Sequence, residues 1–256
     1  MKMDKLGVQL YTVRAFMETE EDVRTTFRKL KAIGYDFGQT AGCKISYEDY
    51  GRIAREEGFG IVGTHDSYAL MIQDFDQALA NHKALGTYFM GVGGRNYTTL
   101  EEWQQFFKEA GEIGAKLAEF GGKFTYHNHS HEFRKWENGK TTMDMLAEGM
   151  DPKTTSFVLD TYWVQHGGGD VRYWIEKLAG RIDILHLKDM KMTIKADGTR
   201  TQEYTEIGQG NLYWQGIMET AEKAGVRYYV VEQDTCPGDP FESLKISSDY
   251  IHKNFM

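Results

Sequence analysis

Six times along this chain a segment with helical periodicity stops at a glycine, and within one or two residues a short apolar, aromatic or β-branched run begins. Gly34 precedes YDFGQ, Gly58 precedes FGIVGTH, Gly86 precedes TYFMGV, Gly122 precedes KFTYHNH, Gly180 precedes RIDILHLKD and Gly225 precedes VRYYVVEQD. Glycine closes helices because it enters the left-handed backbone region without steric cost. Runs of this composition favour strands. The opening run Leu6 to Tyr11, and the run Thr155 to Leu159 after Asp151-Pro152, bring the strand candidates to eight.

The segments between them read as amphipathic helices. From Thr99 to Phe120, the residues Leu100, Trp103, Phe106, Phe107, Ala110, Ile113, Leu117 and Phe120 recur at spacings of three and four, and Thr99 with Glu102 forms a capping box. Thr19 with Asp22 opens a shorter helix carrying Val23, Phe27, Leu30 and Ile33, and Asp239-Pro240 announces the last one. Weaker helical patterns cover 144–148, 171–178 and 214–224. Eight strands alternating with helices in 256 residues match a closed (β/α)8 barrel of the α/β class in count and length. An open doubly wound sheet competes, but the turn after the first strand, Thr12-Val13-Arg14-Ala15, has none of the glycines such a sheet uses there. Three prolines and no low-complexity stretch leave nowhere to divide the chain, so residues 1–256 read as a single domain. The polar insertion 191–210 reads as a hairpin over the barrel mouth.

Thirty basic and 38 acidic side chains give a net charge of −8, with no footprint for phosphate backbones, so nucleic acid is not an expected partner. Cys43 and Cys236 stand far apart and outside any zinc-finger spacing, which points to a reducing compartment, the cytoplasm. A trimmed export signal would be invisible here. No run approaches the ~18 apolar residues of a membrane span, so no membrane partner is expected. A homo-oligomer is compatible with the composition.

In either α/β architecture, ligands gather where strands end. The residues at those ends are polar: Gln9 and Tyr11, Gln39, His65 and Asp66, His127 to His129, Asp160, His186 with Lys188 and Asp189, and Glu232 with Asp234. An ionised carboxylate at the edge of an apolar run such as FVL before Asp160 or YYVV before Glu232 needs a partner. His186, on the strand between these two, is placed to share it. One such carboxylate alone is more often a helix cap or an ion-pair partner; three positions on successive strands suit a divalent ion, Mn²⁺, Mg²⁺, Co²⁺ or Zn²⁺.

VLD160, ILH186-x-KD189 and VVE232 resemble the metal-binding strand ends of the xylose isomerase-like TIM-barrel superfamily, across essentially the whole chain. The resemblance implies that Asp160, His186 and Glu232 are three of four protein ligands to one divalent ion, Mn²⁺ first, the fourth being a fifth-strand glutamate. Here that strand ends FTYHNHSHEF, similar to the HNHxxEF variant of the branch labelled sugar phosphate isomerase/epimerase. Glu132 is then the expected fourth ligand, with His127 or His129 as alternatives. Both histidines, like His65, equally suit hydrogen bonding to substrate or barrel neighbours. Lys188 faces the same side as His186 and suits an oxyanion. Trp163, where many relatives carry histidine, suits stacking on a sugar face.

The implied substrate is a sugar or polyol carrying a carbonyl. Glu232 is the expected base removing the proton α to that carbonyl, and Glu132 or a fifth-strand histidine the group that returns it. Isomerisation or epimerisation is the first expectation, and dehydration or lyase chemistry on a keto-sugar or 3-keto-glycoside the alternative. A non-catalytic sugar-binding barrel ranks lower, as does a DNA repair enzyme like endonuclease IV, which the acidic charge disfavours.

Overall fold

The computed structural model describes residues 3–256. Strands β1 (Gly7–Gln9), β2 (Phe37–Ala41), β3 (Gly60–His65), β4 (Phe89–Val92), β5 (Lys123–His127), β6 (Thr155–Asp160), β7 (Ile182–Leu187) and β10 (Tyr228–Val231) form one parallel eight-stranded sheet. Its order is β3-β2-β1-β10-β7-β6-β5-β4, so the two end strands of the list are neighbours across a seam. At the seam the Asp66 N–H donates to the Gly91 carbonyl at 2.8 Å, and the Gly91 N–H to Thr64 Oγ1 at 3.4 Å. Glycine is required at position 91, because a Cβ there would lie 2.5 Å from the Thr64 carbonyl oxygen. The result is a nearly closed single TIM barrel, and the doubly wound alternative is excluded.

The predicted helix starts are where the caps form. Thr19–Asp22 and Thr99–Glu102 make reciprocal capping boxes on α1 (Glu20–Ala32) and α5 (Leu100–Ala118), and Asp239 caps α10 (Pro240–Phe255) with proline in its first turn. The remaining outer helices are α2 (Tyr47–Glu56), α3 (Tyr68–Gln73), α4 (Phe75–Leu85), α6 (Thr142–Gly149), α7 (Thr161–His166), α8 (Val171–Lys177) and α9 (Trp214–Ala224). The insertion is a two-stranded antiparallel hairpin, β8 (Asp189–Ile194) with β9 (Arg200–Thr205), beginning two residues earlier than its polar composition suggests.

Inside the barrel, Phe37, Val158, Ile184 and Val230 pack as a small apolar plug. Because strand side chains alternate between faces, the residues two positions beyond three of these, Asp160, His186 and Glu232, point into the same interior one layer higher. The plug thus forms the floor of a polar chamber at the C-terminal mouth.

Candidate active site

His127 at the end of β5, Asp160 at the end of β6, His186 on β7 and Glu232 just past β10 are all buried, and one donor atom from each lies within 4.8 Å of the others. Asp160 divides its two oxygens. Oδ1 accepts the Trp163 N–H at 2.9 Å and so caps α7, while Oδ2 faces His127 Nε2 at 3.3 Å and His186 Nδ1 at 3.7 Å. The Asp160 N–H donates to Asn128 Oδ1 at 3.0 Å, so Asn128 positions the backbone behind the carboxylate. His186 Nδ1 also lies 3.1 Å from Glu232 Oε2, and its Nε2 lies 2.6 Å from Gln39 Oε1.

The Lys188 ammonium is buried beside this group, 3.2 Å from Glu232 Oε2, 3.7 Å from Asp160 Oδ2 and 2.6 Å from Asp234 Oδ1. Its Nζ is also 5.0 Å from the ring centres of Trp163 and Tyr204. Tyr204 comes from the hairpin, and nothing in its sequence surroundings marked it. Burial by itself would lower the Lys188 pKa, but Glu232, Asp160 and Asp234 outweigh burial and hold it above the ordinary lysine value. The same ammonium holds Asp160 below the usual carboxylate range against its own burial. Burial, with the Glu232 charge nearby, raises Asp234.

A divalent cation fits this donor set. Two of the donors are buried carboxylates, Asp160 and Glu232, and the one ammonium beside them is shared with Asp234, which leaves the group net negative and suited to a cation. His127 Nδ1 lies 3.4 Å from the Gly93 carbonyl and Nε2 3.3 Å from Asp160 Oδ2, and both partners can only accept; the single proton of a neutral ring leaves one lone pair facing an acceptor, the Nε2 lone pair facing Asp160 when that proton is on Nδ1. A lone pair facing a carboxylate is repulsive unless a cation or a proton lies between them. Metal ligation of this kind by imidazole and carboxylate is ordinary for Mn²⁺, Zn²⁺ or Co²⁺.

Glu132 is not among the four. It follows β5 in a short 3₁₀ turn and is fully buried, but its carboxylate accepts from the Tyr126 hydroxyl at 2.7 Å and the His129 N–H at 2.9 Å. Burial raises its pKa. The structure brings His127, one of the two alternatives, to the cluster instead.

The remaining expected residues line one cavity of ≈ 280 Å³ above the cluster, among them His65, His127, His129, Trp163, Lys188 and Glu232. The His65 and His127 rings are 4.9 Å apart, and the His129 and Trp163 rings 5.1 Å. His65 Nε2, His129 Nδ1 and Trp163 Nε1 are buried with no hydrogen-bond partner, the state expected of groups that serve a polar ligand. Burial and the neighbouring His127 ring lower His65 well below the usual imidazole range, and lower His129 to about 3. Both are therefore neutral at physiological pH. Among the described residues no helix is long and apolar enough to cross a membrane.

An inosose dehydratase of Bacillus licheniformis is 28% identical over 173 residues, which are 62% of this chain and 57% of that relative, so the chain spans less than two thirds of its length. Among solved structures, a sugar phosphate isomerase/epimerase from Parabacteroides distasonis superposes with a TM-score of 0.82 at 22% identity, covering 98% of this chain and 94% of the other. A probable 3-DHS dehydratase involved in petrobactin synthesis from Bacillus anthracis superposes at 0.73 and 13% identity, covering 98% of this chain and 99% of the other. The family model described as xylose isomerase-like TIM barrel matches residues 27–249. That match begins inside α1, ends inside α10 and takes in every strand that contributes one of the four donors, and the chain belongs to the xylose isomerase-like TIM-barrel family.

Proposed function

We propose that this chain is a divalent-metal-dependent lyase that dehydrates a polyhydroxylated ketone of inosose or monosaccharide size, beginning with removal of the proton α to the carbonyl. The observation that carries this reading is the position of Glu132. A symmetric isomerase or epimerase wants a second carboxylate facing the substrate from the fifth strand, and here that carboxylate is engaged by Tyr126 and the His129 N–H. A protonated lysine lines the same cavity as the candidate base. Relatives named inosose dehydratase support the same class.

In this reading His127, Asp160, His186 and Glu232 would hold the ion, Mn²⁺ being the first choice. When bound, it would supply Lewis-acid polarisation of the substrate carbonyl and an adjacent hydroxyl. Glu232 takes the α proton. Lys188 gives a proton to the β-hydroxyl as its C–O bond breaks, so that water departs and a carbon–carbon double bond remains. The lysine is recharged by the proton on Glu232, whose Oε2 is 3.2 Å away, and both groups return to their starting states. His65 and His129, being neutral, bind substrate oxygens without adding charge, and Trp163 offers an apolar face to the ring.

The test is to incubate the Mn²⁺-loaded protein in D₂O with an inosose and a panel of keto-sugars and 3-keto-glycosides, and to follow products by mass and ultraviolet absorbance. Loss of one water with a new conjugated chromophore is the expected result. Deuterium in recovered or inverted substrate without loss of water would replace the lyase with an isomerase or epimerase. Saturable binding with no exchange at carbon would leave a non-catalytic sugar-binding barrel.

A further inference from the structure

The two glutamines at the ends of β1 and β2 are buried, and neither was assigned a role by the chemistry above. Gln9 Oε1 accepts the Tyr11 backbone N–H at 3.2 Å. A backbone N–H can only donate, so the orientation of the Gln9 amide follows from it, and Nε2 must point the other way. That nitrogen lies 3.3 Å from Gln39 Oε1 and 3.4 Å from His65 Nδ1, and its two protons serve both. Turning the Gln39 amide over would set two NH₂ groups against each other, so Gln39 must present oxygen. The same oxygen lies 2.6 Å from His186 Nε2, which must therefore carry a proton.

We infer that Gln9 and Gln39 are positioning residues: a relay starting at the Tyr11 N–H holds His186 as its Nε2–H tautomer, with Nδ1 turned to the metal, and holds His65 with Nε2–H offered to a substrate oxygen. The inference rests on the proposed metal site for its first half and on the chain's own hydrogen bonds for its second. His65 Nε2 is buried without a partner in a residue that lines the cavity, as a donor reserved for a ligand must be. With Nδ1 accepting from Gln9 Nε2, the ring proton of His65 is left on Nε2. The substrate atom opposite His65 is then an acceptor, a carbonyl or hydroxyl oxygen.

The relay makes one demand that a direct hydrogen bond does not: the Gln9 side chain, bonded to the Tyr11 N–H, Gln39 and His65 and to none of the four donors, must influence metal binding. The experiment uses protein labelled with ¹⁵N in its histidine rings, titrated with Zn²⁺ against a competing chelator and observed in long-range ¹H–¹⁵N spectra, where protonated and unprotonated ring nitrogens are distinguished. Gln39→Met should weaken Zn²⁺ binding by about 10–100-fold, as expected when the group orienting a metal-bound histidine is lost. Gln9→Met should weaken it less, and should convert His65 from a single Nε2–H form into a mixture. Gln39→Glu keeps an acceptor facing His186 and should retain both the tautomer and Zn²⁺ binding, which also guards against misfolding of the methionine variant. Wild-type affinity and unchanged ring spectra in both methionine variants would overturn the inference. Failure of the wild type to bind Zn²⁺ would remove the metal site itself. The His65 spectra of metal-free wild type and Gln9→Met still decide the relay: a single form turned into a mixture supports it, and identical spectra sink it.

Discussion

Lys188 and Glu132 are the two ionisable residues whose buried positions most separate one chemistry from another. Lys188 compensates Asp160, Glu232 and Asp234 together. Lys188→Met leaves these carboxylates opposed only by whatever cation is bound, so the metal-free variant should lose roughly 3 kcal/mol, the usual cost of stripping one partner from a buried ion pair. Metal should restore part of that, and turnover should fall by about 10²–10⁴-fold if the ammonium delivers a proton. Urea unfolding with and without Mn²⁺ reads the first effect, and single-turnover kinetics the second. Glu132→Gln makes the opposite prediction. Its amide oxygen can still accept from Tyr126 or the His129 N–H, and the Glu132 carboxylate has Tyr126, the His129 N–H and His131 as its polar partners rather than any of the four donors, so metal affinity should stay near wild type. A large loss of affinity by calorimetry would return Glu132 to the ligand set. Asp160, His186 and Glu232 were legible in the sequence because each ends an apolar strand, and alternation alone turns all three inward. Of the candidates for the fourth position, His127 joins the cluster, while Glu132 is held by a tyrosine hydroxyl and a backbone N–H that no spacing rule encodes. Gln9 and Gln39 stood among the polar strand ends but carried no role in the sequence for another reason: an amide matters there only through which end it presents, and that depends on a neighbouring strand.

At the scale of elements, the hairpin of β8 and β9 brings Tyr204 to Lys188, and Asp189 at its base ties it to the segment that follows. Asp189 is buried, and its carboxylate accepts from the N–H groups of Met190, Gly208, Gly210 and Leu212 and from Trp214 Nε1 at 2.7–3.3 Å. Gly210 packs against that carboxylate so closely that an added Cβ would lie 2.3 Å from Asp189 Oδ1. Asp189→Ala would strand several buried donors at once and should cost on the order of 3 kcal/mol. Hydrogen exchange should rise first along 189–213, ahead of the barrel strands. Equal exchange across hairpin and barrel would mean that the hairpin is held elsewhere. The hairpin itself was readable from its polar composition, as were α1, α5 and α10 from their caps. Its first residue was not, since β8 starts directly where β7 ends and Asp189 reads in sequence as one more polar residue at a strand end.

For the whole molecule, the two ends of the barrel respond to different variables. At the N-terminal end Asp183 is buried between Lys123 and Arg227, with Nζ and Nη1 each 2.9 Å from a carboxylate oxygen, and it joins the starts of β5, β7 and β10. These two cations, with Ser156, outweigh the burial that would raise its pKa and hold it below the ordinary aspartate value. A depressed carboxylate stabilises the fold fully above its unfolded pKa of about 3.9, and that contribution is lost as pH falls towards the lower folded value. Asp183→Asn should thus lower stability near neutrality by roughly 1–3 kcal/mol and flatten its fall below pH 4. At the C-terminal end the variable expected from the proposed function is a metal ion. An ion that binds only the folded chain adds about 2.7 kcal/mol at a hundredfold excess over Kd, which for a chain of this length corresponds to a rise in Tm of roughly 5–10 °C. Because the two sites lie at opposite ends of the strands and share no partner, the Mn²⁺-induced rise should be the same in Asp183→Asn as in wild type and absent from an Asp160→Ala, His186→Ala double variant. Thermal melts of the three proteins with Mn²⁺ and with chelator decide it: a rise that survives the double variant would place the ion elsewhere, and one that shrinks in Asp183→Asn would mean that the barrel transmits strain from its floor to its mouth.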